Sequence, residues 1–484
     1  MALYLFRILG NYSFRRAPIA PSATTIAKSG QEVVVRELLA ETAVRAARYA
    51  SGIATRRVFP SPAEVERLQA LGGPLPECSS DPATVLALLD DIGSPATVAT
   101  TGGRYFGFVT GGTLPAALAA NWLAATWDQN AAFSVMSPVA AKLEEIALAW
   151  LRDIFKLPET CGAGFVTGAT MANFAALAAA RHALLARQGW KGEEDGLFGA
   201  PALRVVVSVE AHVSLLKALS LLGLGSARVT TVPADNQGRM RPAELPTLDD
   251  RTIVCIQAGN VNTGAFDPAN EICSVAHDAG AWVHVDGAFG LWASAAPSRA
   301  HLTNGIPDAD SWATDCHKWL NVPYDSGIAF VRQPENLRNA MAISAAYLPQ
   351  RDVREPMQYT PEASRRARGV EVWAALKSLG RQGLAELIER NCRLAEHFAE
   401  GLRRANYPVL NDAVLNQVLV SFGDAEMTRR VIERVQSDGT CWCGGTQWHG
   451  QSAMRISVSS WATTEDDVER SLTAILRAAE SLAG

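Results

Sequence analysis

Ser311-Trp-Ala-Thr-Asp-Cys-His-Lys-Trp319 starts as a short apolar run and delivers two basic side chains, His317 and Lys318. Upstream, Val283-His-Val-Asp-Gly-Ala-Phe289 is built the same way and delivers Asp286. Short apolar runs rich in β-branched residues and bounded by turn residues read as buried strands. Ala281–Val285 and Ser311–Thr314 are two of these, and Arg204–Val209, Thr252–Gln257 and Gly327–Val331 are three more. Helical spacing fills most of the intervals, at Met171–Arg187, Val213–Leu222 and Pro268–Ala279. Near-continuous apolar strands separated by helices predict an α/β fold with a mostly parallel central sheet covered on both faces. Ligands of such sheets gather beyond the carboxyl ends of the strands, where Asp286 and Lys318 fall.

Working outward, residues 1–30 carry Arg7, Arg15, Arg16 and Lys28 and no acid, and are expected to be a disordered leader. Residues 31–112 form an N-terminal extension, with a helix over 31–50 and then a stretch rich in Pro, Gly and Ser. The large domain is expected over 113–370; within it Pro138 opens an amphipathic helix through Val139, Leu143, Ile146, Trp150 and Ile154. A smaller C-terminal α+β domain over 371–484 holds a long helix, strands at Gln417–Ser421 and Ala453–Ser457, and a closing helix.

Composition narrows the function classes. Hydrophobic residues at 48% and charged residues at 19% describe a globular chain rather than a disordered one. The net charge of −5 and the lack of a basic stripe argue against nucleic acid, and no apolar run is long enough for a membrane span. Eight scattered cysteines, several inside apolar runs, suit free thiols in the cytoplasm. Cys441-Trp-Cys443 with His449 lacks the spacing of a metal site, so no metal is expected.

An amine and a carboxylate brought to one edge of a sheet suit pyridoxal phosphate. Lys318 would form the Schiff base and Asp286 would keep the pyridine nitrogen protonated. Phe165-Val-Thr-Gly-Ala-Thr-Met-Ala-Asn173 passes from a strand through small residues into a helix. Gly168 and Ala169 there let backbone N–H groups approach a phosphate, and Thr170 adds a hydroxyl. His212 follows a strand end, where its ring could stack on a flat heterocycle or simply join strand to helix. Asn260 and Asn262 follow the next strand and offer amides to the cofactor's substituents, or else a Gly-Asn turn.

From about Tyr105 to Gly383 the chain resembles the pyridoxal-phosphate-dependent group II amino-acid decarboxylases, which include the aromatic L-amino-acid and glutamate enzymes. The motifs that carry the resemblance are Phe165–Ala172, Ser208–Leu219, Gly259–Pro268, Val283–Gly290 and Ala309–Trp319. It implies a fold-type I enzyme that converts an L-amino acid to its amine, acting as a homodimer with active sites at the subunit interface. It also implies cofactor attachment at Lys318, Asp286 on the pyridine nitrogen, His212 stacked on the ring and Ala288 beneath it. Phosphate would lie around Ala169 and Thr170, with help from His317.

Departures from the family pattern bear on substrate and outcome. Asn260-Val261 stands where hydroxyl residues are usual, and Gly107 where aromatic decarboxylases carry a ring, which would open the pocket. In the loop between Tyr347 and Arg368, Tyr359 is the candidate proton donor to Cα. Arg365, Arg366 and Arg455 are candidate carboxylate ligands, or structural cations. An altered loop leaves aldehyde formation or carbon–carbon lysis as an alternative, and a catalytically inactive cofactor-binding homologue as a third reading.

Overall fold

The computed structural model describes residues 23–342 and 353–483. Its centre is a seven-stranded sheet of β1 (Gly162–Val166), β2 (Arg204–Ser208), β3 (Thr230–Val232), β4 (Thr252–Gln257), β5 (Trp282–Asp286), β6 (Ser311–Asp315) and β7 (Gly327–Val331), in the order β1-β7-β6-β5-β4-β2-β3. Neighbours from β3 across to β6 pair in parallel, while β7 runs antiparallel to both β6 and β1.

Alternation along the strands divides their apolar residues between two cores. Val206, Val254, Ile256, Val283, Val285, Trp312 and Phe330 enter one; Val205, Val207, Ile253, Cys255, Trp282, Ala313 and Val331 enter the other. Helix Ala169–Arg187 covers the second face with Ala172, Ala175, Ala176, Ala179, Ala180 and Ala183. Small side chains let this helix lie close to the sheet, and Leu177 and Leu184 fill what remains. Each such leucine, fully buried, contributes roughly 1.5–3 kcal/mol.

One backbone approach fixes the end of this helix. A Cβ on Gly327 would come 2.5 Å from the Cα of Gly168. Strand β7 therefore passes directly beside the turn between β1 and the helix, and only glycines permit it.

A second sheet of β8 (Gln417–Val420), β9 (Gly444–Trp448) and β10 (Gln451–Ser457) is antiparallel, in the order β8-β10-β9. Its apolar face packs Val418, Val420, Met454 and Ile456 with Phe106, Phe398, Val468 and Ile475. Strand β10 begins at Gln451, before its expected start at Ala453, and pairs with β9, which sequence reading does not anticipate.

The chain divides into two compact units. One comprises residues up to Thr55 with Pro60–Thr97; the other comprises Arg56–Phe59 with Val98–Gly484 and holds both sheets. In the first unit the helix expected over 31–50 runs from Ala23 to Gly52. The leader up to residue 22, and the part of the candidate catalytic loop that includes Tyr347, lie outside the described residues.

Candidate active site

Strand β6 ends at Asp315, and in the turn that follows the N–H groups of Cys316 and His317 donate to the Ser326 carbonyl while Lys318 folds back on Asp315. Lys318 Nζ lies 3.0 Å from Asp315 Oδ2. The other oxygen of Asp315 accepts the N–H of Ala169 at 2.6 Å. A carboxylate therefore already sits at the N-terminus of helix Ala169–Arg187, where exposed N–H groups and the helix dipole favour an anion. Gly168 is needed beside it, since a Cβ there would lie 3.1 Å from His317 Cε1 and 3.3 Å from Asp315 Oδ1. Thr170 sits half-buried on the first helical turn.

His317 is buried, and its Nδ1 accepts the N–H of Ser326 at 3.1 Å. Burial lowers its pKa, the chief cause, against the nearby Asp315 carboxylate. A neutral ring with Nδ1 occupied carries its proton on Nε2, which lies 3.6 Å from Asp315 Oδ1. That N–H is a second donor for an anion held at Ala169. Tyr324 packs on the other side of the ring, with centroids 4.3 Å apart.

Asp286, at the end of β5, is buried and receives two donors. Asn173 Nδ2 donates to its Oδ2 at 3.2 Å, and the N–H of Ala288 to its Oδ1 at 3.3 Å. Ala288 is half-buried, and its carbonyl accepts the N–H of Asp315, tying the β5 and β6 ends together. His212 caps helix Val213–Leu221, with its Nδ1 accepting the N–H of Ser214 at 3.2 Å. Burial lowers its pKa first of all; the Asp286 carboxylate pulls it up, and Lys318 and Arg455 push it down. One imidazole therefore senses the acid, the lysine and the C-terminal arginine together.

The loop after β4 carries both expected asparagines. Asn260 is buried and its Oδ1 accepts the N–H groups of Asn262 and Thr263, which uses its oxygen for the turn. Its Nδ2 lies near Gly238 and has no hydrogen-bond partner among the described residues. Asn262 reaches across to the small sheet instead, its Oδ1 lying 3.0 Å from Thr446 Oγ1 and 3.4 Å from Arg455 Nη1. Burial lowers the pKa of the Arg455 guanidinium, which forms no salt bridge among the described residues.

Three other candidates are located. Within one chain Tyr359 makes no contact with Lys318, Asp286 or His212; its ring lies beneath Arg354 at 4.7 Å, and its carbonyl lies against Gly164 in β1. Gly107 does not open a pocket, because the Trp442 ring fills the space and a Cβ there would come 2.2 Å from Trp442 Cζ3. Arg365 is buried on Glu144 and the carbonyls of Ala131 and Phe165, and Arg366 pairs with Glu371; both serve the fold. Sequence reading passes over Asp315 and Asn173, although both lie in the motifs already singled out. Their signal is a polar residue set among small or apolar ones, at a strand end and on a buried helix face.

This donor set fits pyridoxal phosphate: an amine for its aldehyde, a buried carboxylate for its ring nitrogen, and N–H groups at a helix N-terminus for its phosphate. Comparison with known proteins agrees. The pyridoxal-dependent decarboxylase conserved domain matches residues 77–422. An aromatic-L-amino-acid decarboxylase of Bacillus atrophaeus is 26% identical over 416 residues, covering 81% of this chain and 84% of the relative. An acidic amino acid decarboxylase of Bos taurus is 30% identical over 324 residues, covering 64% and 61%. In fold, the crystal structure of Oryza sativa TDC with PLP and tryptamine superposes with a TM-score of 0.85 at 23% identity, covering 93% of this chain and 98% of that one. The expected fold-type I architecture is therefore present, and pyridoxal phosphate is the cofactor. With the conserved domain spanning most of its length, the chain belongs to the pyridoxal-dependent decarboxylase family and is a carboxy-lyase.

Proposed function

We propose that this enzyme decarboxylates an L-amino acid to the corresponding amine, with Lys318 as the residue that carries the cofactor. The observation that supports this best is the convergence of Lys318, Asp286 and the anion-receiving Ala169 N–H, with His212 sensing both charges. Bound pyridoxal phosphate supplies the sink for the electron pair left when carbon dioxide departs. Asp286 would hold a proton on the cofactor's ring nitrogen and keep that sink positive. The Ala169 N–H and the His317 Nε2–H would hold its phosphate, with help from the Thr170 hydroxyl. His212 would pack on the cofactor ring and exclude water, with Ala288 beneath. Fixed donors and charges in a water-poor cleft cost no reorganisation during the reaction.

Arg455 narrows the substrate. A largely desolvated guanidinium whose side-chain partner is the Asn262 amide is suited to receive an anion from the substrate. A cation gripping the departing carboxylate would stabilise the ground state over the transition state and slow its loss. Arg455 is better matched to an acid on the side chain, and we place an acidic amino acid ahead of an aromatic one. A pool of carboxyl-labelled amino acids, with released carbon dioxide trapped and amines identified by mass spectrometry, tests both points. No label released from any substrate sinks decarboxylation; release from tyrosine or tryptophan but not from acids sinks the assignment of Arg455.

The position of Tyr359 beneath Arg354 supports a second reading. Without that proton donor at Cα, dioxygen would take the electron pair instead and water would release the product as an aldehyde, with ammonia and hydrogen peroxide formed beside the carbon dioxide. We also propose a homodimer with interfacial sites, supported by Leu118, Trp122, Leu123 and Trp127 exposed on helix Pro115–Trp127. The eight free cysteines fit a cytoplasmic enzyme. No helix among the described residues is long and apolar enough to cross a membrane.

A further inference from the structure

Behind Asp286 runs a file of four buried side chains from three different elements. Trp282 Nε1 donates to Ser311 Oγ at 2.9 Å, and Ser311 Oγ lies 2.9 Å from His284 Nδ1. His284 Nε2 lies 2.9 Å from Asn173 Oδ1, and Asn173 Nδ2 donates to Asp286 at 3.2 Å. All four are almost completely buried. We propose that Asn173, His284, Ser311 and Trp282 are positioning residues that keep Asp286 ionised and aimed at the cofactor nitrogen, through hydrogen bonds that all donate toward the carboxylate. The inference rests on the reading of Asp286 as partner of that nitrogen.

The direction follows from the two ends. An indole N–H only donates, and an ionised carboxylate only accepts. Asn173 must show Asp286 its amide nitrogen and His284 its oxygen, so His284 Nε2 must carry a hydrogen. Burial holds this imidazole neutral, pushing its pKa down to about 3, so Nδ1 is bare and takes the hydroxyl proton of Ser311. Each of the four links then has one donor and one acceptor, all in one direction. An Asp286 protonated on the oxygen that faces Asn173 would need Asn173 turned over and His284 in its other tautomer. Ser311 would accept from both Trp282 and His284, and its own proton would have no acceptor among the described residues. Because an unmet buried donor is costly, the file keeps that oxygen an acceptor.

Nitrogen-15 spectra of the ring of His284 in the full-length apoenzyme test the direction without any substitution. The expected result is a neutral ring protonated on Nε2 throughout pH 5–8; an Nδ1–H tautomer, or a ring that titrates in that range, overturns the proposal. His284→Phe and Asn173→Leu should weaken pyridoxal phosphate binding to the apoenzyme by about 10- to 100-fold, the loss of one hydrogen bond to a charged group. In the reconstituted enzyme kcat should fall with KM near its starting value. His284→Gln, which keeps an N–H toward Asn173, should recover most of the affinity. Asp286→Ala separates the two layers of argument. If it leaves cofactor affinity unchanged, the role of Asp286 itself fails. If it destroys affinity while folded His284→Phe and Asn173→Leu match the parent, only the file fails.

Discussion

Asp315 divides its oxygens between the N–H of Ala169 and the ammonium of Lys318. That places a fixed negative charge where the cofactor's phosphate is to bind, so charge repulsion works against capture while the pairing holds Lys318 in place. Asp315→Asn keeps the shape and removes the charge. Both inorganic phosphate and pyridoxal phosphate should then bind the apoenzyme more tightly, by about tenfold at low salt, since like charges a few ångströms apart near a protein surface repel by several kcal/mol at most. Titration calorimetry reads the change directly, and unchanged or weaker phosphate binding would refute it. Lys318→Ala makes the companion test: it should abolish activity and the visible absorbance of lysine-bound cofactor. A band that survives intact would mean that another lysine carries it. Lys318 is legible in sequence because His317-Lys318 follows a strand; the role of Asp315 is not. Three residues before a lysine means contact only once the chain has turned back on itself, and the turn belongs to the tertiary structure.

Strands and helices carry the site through backbone contacts that leave no room for a side chain. Gly111 is the sharpest case: a Cβ there would lie 1.8 Å from the carbonyl oxygen of Lys318. Gly111→Ala must displace the lysine-bearing turn. It should destabilise the protein by about 3 kcal/mol, the upper range for overpacking, and lower kcat more than it raises KM. Chemical denaturation and steady-state kinetics measure the two effects, and a variant with parental kinetics would show that the segment before helix Pro115–Trp127 does not buttress Lys318. The strands that position Asp286 and Lys318 are readable because both their faces are apolar. Strand β3 is three residues long and mostly exposed, and β9 alternates between exposed and half-buried glycine and polar residues, so neither stands out from a loop. The same limit separates Asn260 from Asn262. Sequence places both after β4, but only the fold of the loop decides which oxygen shapes the turn and which reaches the small sheet. Asn173 and His284 meet across 111 positions of chain, a distance no local pattern spans.

Across the whole molecule, buried titratable groups set a stability profile with pH. His284 falls from 6.5 to about 3 in the fold, so its contribution is complete above pH 6.5 and is lost as pH drops toward 3. Asp267 is raised from 3.8 to about 6 by burial, so its contribution is complete below pH 3.8 and is lost as pH climbs through 6. Between pH 6 and 3.8 the two slopes have opposite sign and roughly cancel. His317 and His212, whose pKa values burial also lowers, add slopes of the same sign as His284. Below 3.8 Asp249 joins them, held down at about 2 by its bond from the Thr252 hydroxyl and by the nearby Arg204. The apoenzyme's denaturant midpoint should therefore fall as pH drops from 6 to 4, and more steeply below it. In His284→Gln one of these slopes is gone, and the midpoint should fall less between pH 6 and 4 than in the parent; a decline equal to the parent's would contradict the assignment.

Association is the other property of the whole molecule. Helix Pro115–Trp127 turns Ala117, Ala120 and Ala124 inward, and Asn121 donates to Glu371 at 2.6 Å. Its opposite side leaves Leu118 39%, Trp122 42%, Leu123 54% and Trp127 40% exposed. Two tryptophans and two leucines on one short helix make an apolar patch of the kind that marks an association site. Sedimentation should show a dimer, and Trp122→Lys combined with Leu123→Lys should shift it to monomer at micromolar concentration. The kinetics of that monomer then decide where the active site is completed. Activity that disappears on dissociation and returns on mixing with a Lys318→Ala dimer, which has the partner surface but no catalytic lysine, means that each site borrows from its neighbour. A fully active monomer would make the site self-contained, and a variant that remains dimeric would place the contact elsewhere on the surface.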